Sequence, residues 1–359
     1  MRIAISTGGG DAPGLNAVIR AIVLSAHQRG WQSYGIHKGY DGLLAGDGVS
    51  FLGPEQVRGI THLGGTIIGT TNRGNPFRWP TTDAAGNPVE VDRSDDLIAA
   101  FRASGFDALV SIGGEGSLKI AYDLWLKGLP VVGVPKTIDN DVYGTIATFG
   151  FDTAVTTATE AIDKLHSTAE SHERVMVVEL MGRDAGWIAL HSGISSTADV
   201  ILIPEIPFDI AKVCDKIMER ERRGRKFSIV VVAEGARPIG GDKVLVERRN
   251  VGTVDRLGGI GSRVAAAITE RTGKETRSLV LGHLQRGGSP TTHDRLLALR
   301  FGTAAVAAIA DGAFGHMVGY DPPCIVRVPL AEVGGRTRLV PLDSDTLRTA
   351  RELGISLGD

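Results

Sequence analysis

The sequence predicts an α/β protein built on mainly parallel sheets. Three observations lead to this prediction: short runs of β-branched residues, helical patterns that alternate with them, and the length of the chain. The runs are apolar at successive positions, which is typical of strands buried on both faces of a parallel sheet. Their alternation with helices is the pattern of a layered α/β fold. At 359 residues, the chain is too long for one ordinary domain and suits two of common size.

The individual elements follow from these patterns. Buried strands are predicted over residues 2–6, 108–112, 131–134, 175–180, 200–203 and 228–233. Helices are predicted over residues 15–27, 95–103, 118–127, 153–166, 210–222, 262–271 and 294–309. In such sheets ligands bind at the carboxyl ends of the strands, so functional residues are expected in the loops that follow them.

The composition narrows the possible functions. The chain is 42% hydrophobic and 22% charged with a formal net charge of −2, which argues against nucleic acid or an anionic membrane as a partner. Its two cysteines, Cys214 and Cys324, have no partners at metal-ligand spacing, so reduced thiols are expected. The first residues show no signal peptide, and no window reaches the ~18 apolar residues of a membrane span. These features predict a cytoplasmic protein.

Two glycine-rich loops follow predicted strands. Residues 7–16 read TGGGDAPGLN and precede a helix, so their backbone amides and the helix N-terminus are expected to form an anion cradle. The alternative is a tight strand-to-helix turn, and the pattern is neither GxGxxG nor a Walker A motif. Residues 112–117 read IGGEGS, where the carboxylate of Glu115 suits a phosphate–Mg²⁺ site as well as it suits a solvated loop.

A third loop, residues 135–141, carries the sequence PKTIDND after a buried strand. Asp139 and Asp141 lie two residues apart, so one can accept a proton from an attacking hydroxyl while the other holds a metal ion. Thr137 can offer its hydroxyl to a transferred group. A turn is the alternative interpretation of such a sequence, but its position after a buried strand favours catalysis.

Basic side chains complete the set of candidate residues. Four arginines and two histidines lie beside predicted strand ends, and the arginine fork suits phosphate oxygens. They are Arg174, Arg183, Arg277, Arg286, His172 and His283. His283 is interpreted as a hydrogen-bonding residue, and His172 is given no role. The cluster indicates an anionic substrate.

Taken together, these segments resemble the phosphofructokinase family over nearly the whole chain. The matching segments are GGGDAPGLNA, GGTIIGTT, GGEGS, PKTIDND, AESHER, MGRDAGW, AEGA, GKETR and LGHLQRGGSP. The resemblance implies two similar Rossmann-like, three-layer α/β domains with mainly parallel sheets and the active site in the cleft between them. It also implies phosphorylation of the 1-hydroxyl of fructose 6-phosphate, with Mg²⁺ as cofactor, by a homotetramer or homodimer whose active sites are shared across subunits. Sedoheptulose 7-phosphate is a possible further acceptor.

The resemblance also assigns roles to residues at matching positions. Asp139 would be the catalytic base, Glu115 and Asp141 would serve Mg²⁺, and Thr137, Arg183 and Gly10 would act at the transferred phosphoryl group. The donor site would be formed by Gly9, Gly10, Tyr40, Arg73, Glu115, Gly116, Ser117 and Lys136. The sugar phosphate would be bound by Thr137, Asp139, Met181, Gly182, Arg183, Glu234, His283 and Arg286, with Arg174 and Arg277 reaching in from a neighbouring subunit.

The donor is predicted to be ATP, with pyrophosphate as the alternative. Pyrophosphate-using members usually have Asp at the position of Gly116 and Lys at that of Lys136, whereas ATP-using bacterial members usually have Gly at both. A carboxylate at position 116 would crowd a nucleotide phosphate, and Gly116 leaves that space open. Lys136 could fill this space, swing aside or pair with a phosphate. The non-enzyme alternative, an inactive regulatory subunit, is disfavoured because Asp139, Asp141, Thr137 and Arg183 are all present.

The domain boundaries are also predicted. Residues 1–138 with about 252–304 are expected to form the phosphoryl-donor domain. Residues 139–251 with about 305–328 are expected to form the sugar-phosphate domain, followed by a C-terminal segment at 329–359.

Overall fold

The computed structural model describes residues 1–46, 48–247, 251 and 256–359. The strands are β1 Arg2–Thr7, β2 Gln32–Ile36, β3 Val49–Leu52, β4 Trp79–Thr82, β5 Pro88–Val91, β6 Ala108–Gly113, β7 Val131–Thr137, β8 Phe149–Gly150, β9 Val175–Leu180, β10 Val200–Leu202, β11 Ser228–Ala233, β12 Leu245–Glu247, β13 Arg256–Leu257, β14 Thr276–Val280, β15 His316–Asp321 and β16 Cys324–Pro329. The helices are α1 Leu15–His27, α2 Asp41–Ala45, α3 Ser94–Ala103, α4 Glu115–Leu126, α5 Phe151–Ser171, α6 Trp187–Ser195, α7 Ile210–Arg222, α8 Ile260–Thr272, α9 Thr292–Ala310, α10 Leu330–Val333 and α11 Asp345–Glu352. Over these ranges no helix is long and apolar enough to cross a membrane.

The chain forms two main sheets. Among the described residues, the larger has eight strands in the order β16-β15-β7-β6-β1-β2-β3, with β8 paired to β7. Its central strands run parallel, and β3 and β16 are added antiparallel at the two edges. The smaller sheet, in the order β10-β11-β9-β14, is parallel throughout. The predicted α/β fold with mainly parallel sheets is confirmed.

Helices cover both faces of each sheet, which gives two three-layer units. On the larger sheet, α1 and α9 pack on one face, and α3 and α4 pack on the other. On the smaller sheet, α5, α6 and α11 cover one face, and α7 and α8 cover the other. The contact of α1 with α9 is close because Gly302 has no side chain: a Cβ there would lie 2.6 Å from that of Ala21. Burial of these apolar faces is the main stabilising contribution to the fold.

The strands of the two later segments of the chain join the opposite sheets from those expected. Strand β14, within the segment predicted for the donor domain, pairs with β9 of the smaller sheet. Strands β15 and β16 pair with β7 and with each other, so they belong to the larger sheet. The strands of the two segments are therefore exchanged relative to the prediction, because strand pairing decides sheet membership and the local pattern does not reveal the partner. Helix α9, most of which lies in the first of these segments, packs on the larger sheet. The predicted boundary at 251–252 lies at the edge of the described residues.

The order of the central strands brings the three predicted loops together. Strand β1 lies beside β6, and β6 lies beside β7. The strands are in register at their ends, where Thr7 aligns with Ile112 and Gly113 aligns with Pro135. The glycine loop, the GGEGS loop and the PKTIDND loop therefore start at the same edge of the larger sheet, as expected for a parallel α/β site.

Candidate active site

The glycine loop after β1 is held in place by its own backbone. The Gly8 N–H donates to the Ile112 carbonyl at 2.9 Å, and the Gly9 N–H donates to the Thr71 carbonyl at 3.0 Å. Gly9 has a φ of 76°, in the left-handed region that favours glycine. Because both N–H groups are used inside the protein, they do not provide the anion cradle that the sequence suggested.

Positive charge reaches this loop from side chains instead. Lys136 is only 3% exposed, and its Nζ donates to the Gly8 carbonyl at 3.0 Å and to the Gly10 carbonyl. Burial, together with the nearby Arg286 guanidinium, lowers the pKa of Lys136 to about 8. Arg286 donates from Nη1 to the Asp11 carbonyl at 3.0 Å, and a Cβ at Gly10 would lie 2.7 Å from that nitrogen. A side chain at position 10 would therefore displace the Arg286 guanidinium from this position.

The PKTIDND loop turns sharply and buries one carboxylate. The Asp139 N–H donates to Thr137 Oγ1 at 3.1 Å, and the Thr137 hydroxyl lies 3.3 Å from Asp139 Oδ2. Asn140 has a φ of 53° and is fixed by the Thr148 N–H, which donates to its Oδ1 at 3.0 Å. Asp139 is 4% exposed, and its Oδ1 has no hydrogen-bond partner among the described residues. A buried acceptor without a partner is costly, so its retention indicates a function.

Asp141, Asp139 and Glu115 lie close enough to influence one another. Burial and then the Asp139 carboxylate raise the pKa of Asp141 to about 7, and Glu115 pushes it in the same direction. The Arg183 guanidinium opposes this shift. The three carboxylates thus share one region of strongly negative potential, which lies beside the glycine loop that Lys136 contacts.

These residues fit Mg²⁺ bound together with a phosphate donor. In the part of the chain that the structure describes, no group of three or more His, Cys, Asp or Glu side chains is arranged to hold a metal unaided. Mg²⁺ usually takes one or two carboxylates and completes its shell with phosphate oxygens and water. The repulsion among the carboxylates and the unpartnered Asp139 Oδ1 both favour a cation or a proton donor here. Glu115 and Asp141 are thus suitable as a partial site.

The smaller-sheet unit supplies the facing wall. Arg183 follows β9, has a φ of 52°, and donates from its N–H to Glu234 Oε1 at 3.0 Å. Gly235 allows this turn, because a Cβ there would lie 1.9 Å from the Arg183 carbonyl oxygen. Burial raises the pKa of Glu234 to about 7; the Arg183 N–H opposes the shift and Asp139 adds to it. Asp139 is therefore near residues of both units, which places the candidate site in the cleft between them.

Comparison with known proteins agrees with this geometry. The phosphofructokinase family model matches residues 2–309, which is most of the chain. The chain belongs to the phosphofructokinase family. The expectation drawn from the sequence segments is thereby confirmed.

Relatives within the phosphofructokinase family differ in donor. An ATP-dependent 6-phosphofructokinase of Chloroflexus aurantiacus is 52% identical over 361 residues, covering 100% of this chain and 98% of the relative. A pyrophosphate--fructose 6-phosphate 1-phosphotransferase of Amycolatopsis methanolica is 51% identical over 348 residues, covering 95% of this chain and 96% of the relative. The Pichia pastoris phosphofructokinase structure matches with a TM-score of 0.80 at 34% identity, over 92% of this chain but 35% of that longer chain.

The predicted donor residues are not equally accessible in this phosphofructokinase. Tyr40 is buried in the core, and its hydroxyl lies 3.2 Å from Ser111 Oγ. Burial also raises its pKa to about 12. Only 6% of the residue is exposed, so it offers little surface to a donor, and its assignment to the donor site stays a prediction. Arg73 is exposed beside the glycine loop, and a Cβ at Gly116 would meet no atom within 4 Å. Ser117 packs against the loop, because a Cβ at Gly8 would lie 2.7 Å from its Oγ.

The predicted sugar-phosphate residues divide into two groups. Glu234 and Arg183 border the cleft, with half-buried Met181 and buried Gly182 immediately before Arg183. Arg286 contacts the glycine loop, so it lies on the donor side of the cleft. His283 is exposed. Arg174 and Arg277 both pair with Glu275, at 3.2 and 2.8 Å, next to the edge strand β14.

One part of the cleft was missed by sequence reasoning. Residues 334–340 pass beside the PKTIDND loop, where the Arg338 N–H donates to the Asp141 carbonyl at 2.7 Å. A glycine pair followed by two arginines, in the sequence GGRTR, was the signal that could have identified this segment.

Proposed function

We propose that this chain transfers a phosphoryl group from Mg-ATP to the 1-hydroxyl of fructose 6-phosphate, which gives fructose 1,6-bisphosphate. The observation that carries this proposal is the buried Asp139 carboxylate. Its Oδ1 has no partner among the described residues, and it lies between the donor-side loops and the Glu234 wall. A carboxylate in this position can accept the proton of a substrate hydroxyl as that hydroxyl attacks phosphorus.

The surrounding side chains have distinct tasks in this mechanism. Asp139 Oδ1 takes the proton, while the Thr137 hydroxyl, 3.3 Å from Oδ2, is placed to contact the transferred group. Arg183 and Arg286 offset negative charge as it shifts between the phosphates. Glu115 and Asp141 would hold Mg²⁺, which supplies neutralisation of the donor phosphates when bound. Alignment and charge neutralisation are the main requirements of phosphoryl transfer.

The sugar phosphate is expected to bind against the smaller-sheet unit. Glu234 would accept hydrogen bonds from sugar hydroxyls, with Met181 and His283 beside it. Arg174 and Arg277 are paired with Glu275 near an uncovered sheet edge, which suits arginines that reach the substrate of a neighbouring subunit. Apolar side chains follow this edge: Leu279 is 38% exposed, Val280 54% and Leu284 68%. Such an exposed apolar edge supports a homodimer or homotetramer as the working form.

ATP is the proposed donor because of the space at Gly116 and the position of Lys136. Apart from its chain neighbours and its own helix backbone, no atom of the described residues lies within 4 Å of a Cβ placed at Gly116, so a nucleotide phosphate has room there. Lys136 is drawn down onto the carbonyls of Gly8 and Gly10 and is 3% exposed, so its stem does not extend into the open cleft. Lys136 also supports the second candidate, pyrophosphate. If this compact donor draws the Lys136 ammonium group away from the carbonyls of Gly8 and Gly10, that group is free to pair with a donor phosphate.

Initial rates with fructose 6-phosphate and each donor test the proposal. We expect kcat/KM with Mg-ATP to exceed that with pyrophosphate by at least roughly tenfold, or ~1.4 kcal/mol of transition-state binding. A larger efficiency with pyrophosphate would reverse the donor assignment. Absence of turnover with both donors, over a range of sugar phosphates, would favour an inactive regulatory subunit instead.

A further inference from the structure

Residues 334–340, which we name the strap, make backbone contacts with both residues proposed to hold Mg²⁺. The Gly335 N–H donates to Glu115 Oε1 at 2.6 Å. The Arg338 N–H donates to the Asp141 carbonyl at 2.7 Å. Between these bonds, Thr337 forms an antiparallel bridge with Val142. One carboxylate and the backbone of the other are therefore tied to the same short segment.

The Arg338 side chain fastens the strap to both sides of the cleft. Its Nη2 donates at 2.7 Å to the carbonyl of Ile146, in the loop that leads to β8 of the larger sheet. Its Cζ lies 4.3 Å from the ring centroid of Trp187, the first residue of α6 in the smaller-sheet unit. Trp187 Nε1–H donates in return to the Arg338 carbonyl at 2.9 Å. A cation–π contact and hydrogen bonds thus act on one residue.

A further bond extends this connection beyond Arg338. The Val340 N–H donates to Glu205 Oε1 at 2.9 Å, and the same carboxylate accepts from the Gly186 N–H at 3.0 Å. Gly186 directly precedes Trp187, so the strap is joined to the start of α6 at two points. The strap therefore spans from Glu115 on the larger-sheet unit to α6 on the smaller one.

The Arg338 guanidinium is incompletely hydrogen-bonded, which lowers the stability of the folded chain. Its Nε is buried without a hydrogen-bond partner among the described residues. Burial lowers its pKa to about 10, although the Asp141 carboxylate opposes that shift. A half-satisfied buried cation is unfavourable for stability, so a simple surface tether would not require arginine here. The Arg338 guanidinium lies near the Asp141 carboxylate, so its positive charge is expected to act on the carboxylate cluster.

We propose that Arg338 is a positioning residue that locks the strap and so fixes the spacing of Glu115 and Asp141 for Mg²⁺. This inference rests on the metal site of the proposed function. The carboxylates repel one another when no cation is present, and an unrestrained pair would separate. A backbone tether that resists this separation lowers the cost of ordering the site when the metal binds.

The test compares Arg338→Gln, Arg338→Lys and a matched control, Arg348→Gln, in the full chain. Arg348 lies on α11, is exposed, and forms no side-chain hydrogen bond or ion pair within the described residues. The binding probe is Mn²⁺ in the presence of a saturating non-hydrolysable ATP analogue, because the carboxylates alone form only a partial site; binding is followed by electron paramagnetic resonance. The Mg²⁺ concentration for half-maximal rate is measured in parallel. We expect Arg338→Gln to weaken Mn²⁺ binding roughly tenfold and to raise the Mg²⁺ requirement equally, with KM for fructose 6-phosphate within about twofold. Arg338→Lys should recover part of the loss, and Arg348→Gln should match wild type.

The fluorescence of Trp187 reports docking of the strap without reference to activity. Subtraction of the Trp187→Phe spectrum isolates its signal, and Arg338→Gln should shift it to longer wavelength as the ring gains water. Trp187→Phe also serves as a second variant if Arg338→Gln fails to fold. It removes the bond to the Arg338 carbonyl and should raise the Mg²⁺ requirement about threefold.

Two results would overturn the inference. If Arg338→Gln binds Mn²⁺ as wild type does while the Trp187 signal shows a released strap, the strap has no part in positioning the metal site. If kcat falls while the metal requirement is unchanged, Arg338 acts by another route. A wild-type chain that bound no Mn²⁺ in the presence of the ATP analogue would overturn the proposed metal site and, with it, this inference. Either of the two results above would overturn the inference and leave the proposed metal site standing.

Discussion

Replacement of Asp141 by asparagine is expected to stabilise the metal-free protein. Burial and the neighbouring Asp139 raise the pKa of the Asp141 carboxyl from 3.8 to about 7 in the folded chain. Between these two values the folded chain keeps a proton that the unfolded chain has already lost. The free energy of unfolding of the wild type therefore falls as pH rises from about 4 to about 7, and it stays reduced above that. Asparagine carries no charge, so the variant avoids this loss.

The size of the gain follows from the same shift. Roughly three pK units at ~1.4 kcal/mol each set an upper bound of about 4 kcal/mol at pH 8. Asp139 shares the repulsion and water reaches the cleft, so about half of this, roughly 2 kcal/mol, is the expected gain. For a chain longer than 250 residues, at ~2 °C or less per kcal/mol, the melting temperature should rise by about 2–4 °C.

Thermal melts in EDTA between pH 5 and pH 8 measure this effect. Asp343→Asn is the matched control, because Asp343 is exposed and makes no side-chain contact within the described residues. The gain at pH 5 should be about two-fifths of the gain at pH 8, while the control shows no such trend. Addition of Mg²⁺ and ATP should reverse the order of the two melting temperatures, since the variant loses a metal ligand. A variant that is less stable than wild type at pH 8 in EDTA would refute the reasoning.

Three further substitutions test the site. Asp139→Asn should lower kcat at least roughly a hundredfold with KM for fructose 6-phosphate changed less than about threefold, because proton acceptance is lost; steady-state kinetics with unchanged kcat would exclude the role. Gly10→Ala places a methyl group 2.7 Å from Arg286 Nη1. We expect kcat/KM to fall about tenfold while the melting temperature stays within ~2 °C of wild type, and a fall in kcat/KM that comes with a large drop in melting temperature would indicate a folding defect. Gly116→Asp should reduce kcat/KM with ATP at least ~100-fold and spare pyrophosphate, because the carboxylate repels a nucleotide phosphate; an equal loss with both donors would contradict this.

Local pattern was sufficient to predict the central elements of the fold. The runs at 131–134 and 228–233 are apolar on both faces, and both are buried parallel strands in the structure. Strand β15 was not predicted, because it pairs with β7 through only His316 and Met317, and that partner lies more than 180 residues earlier. Its sheet depends on long-range pairing, which local periodicity does not encode.

The candidate site was likewise predictable only where local sequence decides it. The spacing of Asp139 and Asp141 after a strand was enough to select the loop that is proposed to be catalytic. The use of the Gly8 and Gly9 N–H groups was not predictable, because their acceptors are the carbonyls of Ile112 and Thr71 in distant segments. Tyr40 likewise matches the family pattern, yet its ring lies in the core. A motif gives the residue type, and the packing around it decides which atoms remain free.

The discontinuous larger sheet has a consequence for biosynthesis. Helix α1 packs against α9, and β7 pairs with β15. The N-terminal half of this unit therefore cannot complete its folding until residues near the end of the chain have been translated. The smaller sheet also incorporates β14 only after Val280 has been made. Domains usually fold as units while the chain emerges from the ribosome, but here neither unit is complete until most of the protein has been synthesised. The apolar faces of α1 and β7 therefore stay incompletely covered until these later residues have been made.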